Sequence, residues 1–187
     1  MRIALTGLPR VGKDTVGEYL IDEFSYWRFA FGDYMKEAYF RKYPHMEFLP
    51  KDREHMIAFS QPLVDLYDRI WIDRLEDDIA NSKEISLLRF QSASDFFWGD
   101  NIVITDLRQP HEEKWCRENG FTIVRITSEK AEERIKALGE KVQTDIDSSK
   151  IKADYEISND GTLEDLHSQI DNLLDCLNES EMKLRRL

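Results

Sequence analysis

Nine residues near the start of the chain have the types and spacing that hold phosphate: Gly7-Leu8-Pro9-Arg10-Val11-Gly12-Lys13-Asp14-Thr15. They fit the G-x-x-x-x-G-K portion of the phosphate-binding loop, with an apolar run before them (Met1 to Thr6) and a helical pattern after them. Glycines let the backbone turn its N–H groups inward, and the N-terminus of the following helix adds partial positive charge. Lys13 would then reach the β- and γ-phosphates of a nucleoside triphosphate, and Thr15 the α-phosphate. Asp14 stands where the motif places a hydroxyl, and a carboxylate there could bind magnesium directly or through water. The expected nucleotide contacts are Gly7, Arg10, Val11, Gly12, Lys13, Asp14 and Thr15, with ATP and Mg2+ as the ligands.

Transferring a phosphoryl group needs a second set of charges, placed to hold a small phosphorylated acceptor. Arg108 is the leading candidate, since a guanidinium forks onto a phosphate through two hydrogen bonds. Its alternative is a surface ion pair with Glu112, four residues on. Asp33 and Asp106 each follow a short apolar run, and ligands of open parallel sheets gather at strand ends. Either acid could orient the acceptor oxygen or take its proton, Asp33 being favoured, and either could cap the helix behind it. Arg134, on a charged helix, could close over the nucleotide and stabilise the transferring oxygens; otherwise it is one solvated charge among many. His45, His55, His111 and His167 show no ligand spacing, and Cys116 and Cys176 match no metal pattern.

The elements that must position these groups alternate. Strands are expected at 1–6, 27–33, 101–106, 121–126 and 153–159, with a helix opening at Tyr34 under an Asp33 cap. Pro44, Pro50 and Pro62 punctuate the stretch after it, where a short helix spans Lys51 to Phe59. Leu66, Ile70, Leu75 and Ile79 mark a longer helix, and the helical region of about 34–82 is the expected acceptor-binding part. Ile85 to Phe90 reads as a strand or a helix end, and Phe96-Phe97-Trp98 as an apolar cluster. Pro110 opens a helix that Asn119-Gly120 closes. A charged helix from Ser128 ends at Gly139; residues 140–153 have few apolar anchors, so about 128–153 reads as a mobile flap. The last helix carries Leu163, Leu166, Ile170, Leu173, Leu174 and Leu177 and ends in Lys183, Arg185 and Arg186. The expectation is an α/β, three-layer single domain over 1–187, its parallel five-stranded sheet flanked by helices.

Composition narrows the partners. With 187 residues, 41% hydrophobic, 34% charged and a net charge of −11, the chain does not suit a nucleic-acid-coating surface. ATP needs only a local cluster of donors. No apolar run approaches membrane-spanning length, and the widely separated cysteines suit a reducing compartment, so a cytoplasmic protein is expected. Monomer and homodimer remain open.

Together these residues resemble the deoxynucleoside monophosphate kinase family of phages and bacteria, itself related to dephospho-coenzyme A and phosphomevalonate kinases. The matching pieces are Gly7 through Thr15; Phe29-Ala30-Phe31-Gly32-Asp33 with Lys36-Glu37-Ala38; Ile104 through Glu112; and Asp154 through Leu163. The resemblance implies a P-loop kinase fold and ATP- and magnesium-dependent transfer to a (deoxy)nucleoside monophosphate. It further implies that Asp33, Arg53, Arg74, Asp106 and Arg108 face the acceptor and that Asn159 lies near the adenine. The chain departs from the pattern at 141–147, where the family often has a His-x-Ser-Glu-like stretch, and at Arg108-Gln109-Pro110-His111, where Arg-Phe-Pro-Asn is expected. Two other readings stand beside it: a kinase of another small metabolite on the same scaffold, and a nucleotide-binding regulatory module with little turnover.

Overall fold

The structure, a computed structural model, describes residues 1–89, 101–138 and 143–184. Five strands form one sheet: β1 (Arg2–Thr6), β2 (Trp27–Phe29), β3 (Ile102–Ile104), β4 (Thr122–Thr127) and β5 (Tyr155–Ser158). Their order is β2-β3-β1-β4-β5 and all four pairings are parallel. Because β1 lies between β3 and β4, the chain after it crosses first to one side of the sheet and later to the other. Ligands of such sheets sit at that reversal, beyond the carboxyl ends of the strands.

Side chains alternate across the sheet and build a core on each face. On one face Ile3, Leu5, Val103 and Val124 meet helix α1 (Lys13–Phe24) through Val16 and Leu20, and helix α8 (Leu163–Leu184) through Leu166, Ile170, Leu173 and Leu174. On the other, Ala4, Ile102, Ile104 and Ile123 meet helices α2 (Phe31–Lys42), α4 (Ile70–Arg89) and α5 (Pro110–Glu118), through Phe31, Trp71, Ile72, Leu75 and Trp115. Those are the three layers expected from the alternation. Leu163, counted in the apolar stripe of the last helix, is 53% exposed at its first position.

The acceptor side is more helical than the sequence suggests. The strand expected through Asp33 stops at Phe29, and α2 already begins at Phe31. Asp33 therefore lies inside the first turn and does not cap it. The reason is a carboxylate from elsewhere: Asp106 accepts hydrogen bonds from the N–H groups of Phe31 (2.9 Å) and Gly32 (2.8 Å). After a 3-10 turn at Pro44–Phe48, helix α3 runs from Arg53 to Leu66, straight through Pro62, with Asp52 capping it by accepting from the His55 N–H at 2.9 Å. Phe59 packs edge-on to Tyr39 and Tyr43 of the preceding segment, and Trp71 Nε1–H donates to Ser60 Oγ at 3.0 Å. Packing of half-buried Phe59 before the proline and of half-buried Leu63 and Val64 after it thus holds a helix that composition alone broke in two. Leu66 ends α3 at 86% exposed, and the long helix starts at Ile70.

Ile85 to Arg89 continue α4, which resolves that stretch as helix. In the expected flap, α6 (Glu129–Leu138) is followed by α7 (Gln143–Lys150). Its far end is anchored: Ser148 and Ile151 are buried, and Arg125 of β4 donates to the carbonyl oxygens of both. Phe90, Phe96-Phe97-Trp98, Gly139, Lys141 with Val142, and Arg185 with Arg186 lie outside the described residues.

Candidate active site

The loop between β1 and α1 bends where its glycines allow. Gly7 (φ 140°) and Gly12 (φ 102°) occupy conformations that side chains rarely adopt, and Arg10 shares the left-handed region at φ 65°. A methyl at Gly7 would stand 2.3 Å from the Ile126 carbonyl oxygen, and one at Gly12 2.3 Å from the Asn159 amide nitrogen. Asn159 reaches the loop from beyond β5, its Nδ2 donating to the Val11 carbonyl at 2.9 Å. Lys13, only 7% exposed, donates from Nζ to the carbonyls of Gly7 (3.0 Å) and Leu8 (2.8 Å). Its ammonium is thereby held over the loop. Asp14 and Thr15 occupy the first turn of α1.

Beside this loop opens a cleft of about 420 Å³, between the ends of β2 and β3 and helices α2, α3 and α5. Arg10, Lys13, Arg28, Lys36, Lys51, Arg53 and Arg108 line it against four carboxylates, those of Asp14, Asp33, Asp106 and Glu112. In a chain of net charge −11, a surface with more bases than acids is a local reversal of sign.

Three of those acids are committed to the protein. Asp33 accepts from Arg28 and from Lys36, each at 2.7 Å. Burial opposes its ionisation, but the hydrogen bonds from Lys36 and Arg28 prevail and hold its carboxyl below the ordinary value. Asp106 is spent on α2, as described; burial raises its carboxyl despite Arg108 and the two N–H groups. Glu112 is 6% exposed and its Oε2 accepts from the N–H groups of Arg108 and Gln109, both at 2.9 Å. Burial first, and the Asp106 charge second, push it up from 4.5 to about 8.

The cations are less committed. Glu112 takes the backbone of Arg108, not its guanidinium, which makes no hydrogen bond or ion pair among the described residues. Lys51 is likewise without either, and its ammonium is pushed below the ordinary value by burial and then by Lys36, Arg108 and Arg53, with Asp14 pulling the other way. Four cations thus face one another where an anion would relieve them.

Of the residues singled out in the sequence, Arg10, Lys13, Asp14, Asp33, Arg53, Asp106 and Arg108 line this cleft. Gly7, Val11, Gly12 and Thr15 shape the adjoining loop and helix start. Arg74 is exposed on α4 and does not line the cleft; Arg134 is exposed on α6 and does not line it either. Arg28, Lys36, Lys51 and Glu112 were not singled out. Lys36 carried a signal, its i,i+3 spacing from Asp33, and so did Glu112, three residues after Gln109 in a capping pattern. Nothing local marks Arg28 or Lys51.

The donor set fits magnesium in one way. Among the described residues no group of three or more His, Cys, Asp or Glu could hold a metal. Magnesium keeps waters and takes one or two carboxylates plus substrate phosphates, so Asp14 on the cleft wall suits an ion that arrives with a triphosphate. The buried hydroxyl of Thr105, a residue of the same wall, has no partner among the described residues.

A model of the family described as an AAA domain matches residues 3–156, most of the chain, and the chain belongs to that family. Solved structures give the fold. The chain is similar to shikimate kinase from Aquifex aeolicus vf5, at 18% identity over 97% of this chain and 99% of that one, with a TM-score of 0.51. It is also similar to a gluconokinase from Sinorhizobium meliloti 1021 (14% identity, 98% and 96% of the two chains, TM-score 0.53). Dephospho-CoA kinase from Campylobacter jejuni is a third likeness, at 12% identity, 96% and 98% coverage and a TM-score of 0.52. A comparison with curated proteins finds no match. At such identities the likeness defines architecture alone, and that architecture is the P-loop kinase fold. Among the described residues no helix is long and apolar enough to cross a membrane.

Proposed function

We propose that this protein transfers the γ-phosphoryl group of ATP to a (deoxy)nucleoside monophosphate, giving the diphosphate. The observation that carries the reading is the state of the cleft acids beside Lys51 and the Arg108 guanidinium, which have no ion pair among the described residues. A hydroxyl acceptor needs a carboxylate ready to take its proton, but Asp33 is held by two cations and Asp106 by two N–H groups. A phosphate acceptor needs none, since its second pKa lies at about 6 and at neutral pH most of it is already a dianion with a nucleophilic oxygen. The acceptor oxygen bonds to the γ-phosphorus as the bond to the bridging oxygen of ADP breaks.

The residue roles belong to the same proposal, supported by which groups line the loop and cleft. Lys13 and the loop N–H groups hold the β- and γ-phosphates, and Asp14 holds magnesium, which when bound offsets charge on the transferring oxygens. Lys36, Lys51, Arg53 and Arg108 hold the acceptor phosphate, while Asp33 keeps Arg28 and Lys36 in position. One face of α3 extends this site: Arg53, Met56 with Ile57, Ser60 with Gln61, and Val64 line the cleft at helical spacing. From Arg53 to Gln61 is about 12 Å at the helix rise, enough for a phosphate at one end and a base along Met56, Ile57 and Trp71. Asn159 clamps the loop and, by the family resemblance, borders the adenine; Arg134, exposed on α6 outside the cleft, would reach the nucleotide only by closure of the segment of about 128–153.

The test is a coupled ADP-release assay with ATP and magnesium across ribo- and deoxyribonucleoside monophosphates, with gluconate, shikimate and other hydroxylated metabolites as the second arm. Stimulation by at least one monophosphate is expected. Turnover with hydroxyl acceptors alone, or with none, rejects the reading.

A further inference from the structure

We propose that Glu112 is a positioning residue for Arg108, anchoring the turn between β3 and α5 so that the guanidinium enters the cleft. This rests on the kinase reading above. A helix cap does not require burial, and a Ser or Asp at position 109 would supply one from the surface. Yet Glu112 is 6% exposed, and its Oε2 binds the N–H of the very residue that carries the arginine, together with that of Gln109. The ion pair open to two such residues four apart on a chain would draw the guanidinium out to the helix surface. Bonding the backbone instead fixes the turn and leaves the guanidinium to the cleft. The charged or titratable groups facing Glu112 are Asp106 at the end of β3, Arg108 on the turn and Cys116 further along α5. None of them replaces its two N–H bonds.

The test is a double-mutant cycle in the full chain: Glu112→Ala and Glu112→Gln, each with and without Arg108→Met. Two readouts are taken. One is KM for ATP and for the monophosphate acceptor found by the screen. The other is the thermal shift produced by inorganic phosphate with ADP at saturation. Glu112→Ala is expected to raise the acceptor KM about tenfold while the ATP KM moves less than about twofold, and to have no further effect in the Arg108→Met background. Glu112→Gln, whose amide oxygen can accept both N–H bonds that Oε2 takes, should recover most of the loss. The phosphate-induced shift should disappear in Arg108→Met and shrink in Glu112→Ala.

An equal rise in both KM values, no rise at all, or a rise that survives in full without Arg108 overturns the proposal. If Glu112→Ala does not fold, the same cycle with Glu112→Met, which fills similar space without an acceptor, decides it: a rise of about threefold or more that vanishes in Arg108→Met supports it, and any other pattern rejects it. If the screen finds no acceptor, the kinase reading fails by itself, and the phosphate shift still judges Glu112. A shift lost in Arg108→Met but unchanged in both Glu112 variants overturns positioning, as does one that Arg108→Met leaves intact.

Discussion

Replacing Glu112 by Gln should change how stability depends on pH, in a direction its surroundings fix. Burial, with Asp106 beside it, raises this carboxyl from 4.5 to about 8, against the pull of two N–H groups and the Arg108 guanidinium. Between those values the folded chain keeps a proton that the unfolded chain has released. The folded state therefore binds more protons, and stability falls as pH rises through the window, levelling off once the folded carboxyl ionises too. The slope is about 1.4 kcal/mol per pH unit, so from pH 5.5 to 7.5 the wild type loses up to about 2.7 kcal/mol through this group. Glutamine has no such proton. The two proteins should differ least below pH 4.5, and between pH 5.5 and 7.5 Glu112→Gln should gain about a further 5–10 °C on the wild type for a chain of this size. Differential scanning fluorimetry at pH 5.5, 6.5 and 7.5 measures it, other titrations cancelling in the difference. A difference that stays flat or falls over that range would show that Glu112 is ionised in the fold and would refute the account of its burial.

Lys13→Ala should fold yet lose most of the stabilisation by ATP, which at a hundred times Kd is about 2.7 kcal/mol in the parent; an unchanged thermal shift with ATP would remove the loop from the mechanism. Gly7→Ala places a methyl 2.3 Å from the Ile126 carbonyl at φ 140°, and should cost about 1–3 kcal/mol or more, seen as a lower melting temperature; a melting point within about 1 °C of the parent contradicts the loop geometry. Lys51→Met removes an ammonium that its neighbours disfavour, so the ligand-free protein should melt higher, while the acceptor KM rises about tenfold. Arg74→Ala, outside the cleft, should leave that KM within about twofold; the opposite ranking of these two variants would misplace the acceptor site.

What the sequence disclosed followed the range of the forces involved. The loop was legible because its glycines answer a local demand, backbone at positive φ against Ile126 and Asn159, and the lysine follows at fixed spacing. The strands were legible as apolar runs, and the two-faced sheet as their alternation. The order β2-β3-β1-β4-β5 was not, because it arises from packing of distant segments. The start of α2 was misjudged for the same reason: its cap is Asp106, more than seventy residues away. Pro62 looked like a break because its lost N–H is local, whereas the burial that overrides it comes from Tyr39, Tyr43 and Trp71. Lys51, expected to open a helix, sits just before α3, and its partners in the cleft come from distant segments, so only the assembled cleft reveals its company of cations.

Reading acids at strand ends as catalysts is reasonable, but a carboxylate can serve a site by what it holds. Asp106 joins β3 to the first turn of α2, and Asp33 on that turn joins Arg28 of β2 to Lys36. Glu112 ties the turn after β3 to α5. Each bond links a strand end to a helix or turn that carries a cleft cation, so the acids act as struts between the sheet and its positive charges. Such struts explain how seven bases share one wall of a chain with an excess of eleven negative charges. Asp33 offsets repulsion between Arg28 and Lys36, while the bonds of Asp106 and Glu112 to backbone N–H groups keep these two from ion-pairing with Lys51 and Arg108. What remains exposed to a ligand is mostly positive, and a doubly charged phosphate is the ligand whose arrival that arrangement stabilises most.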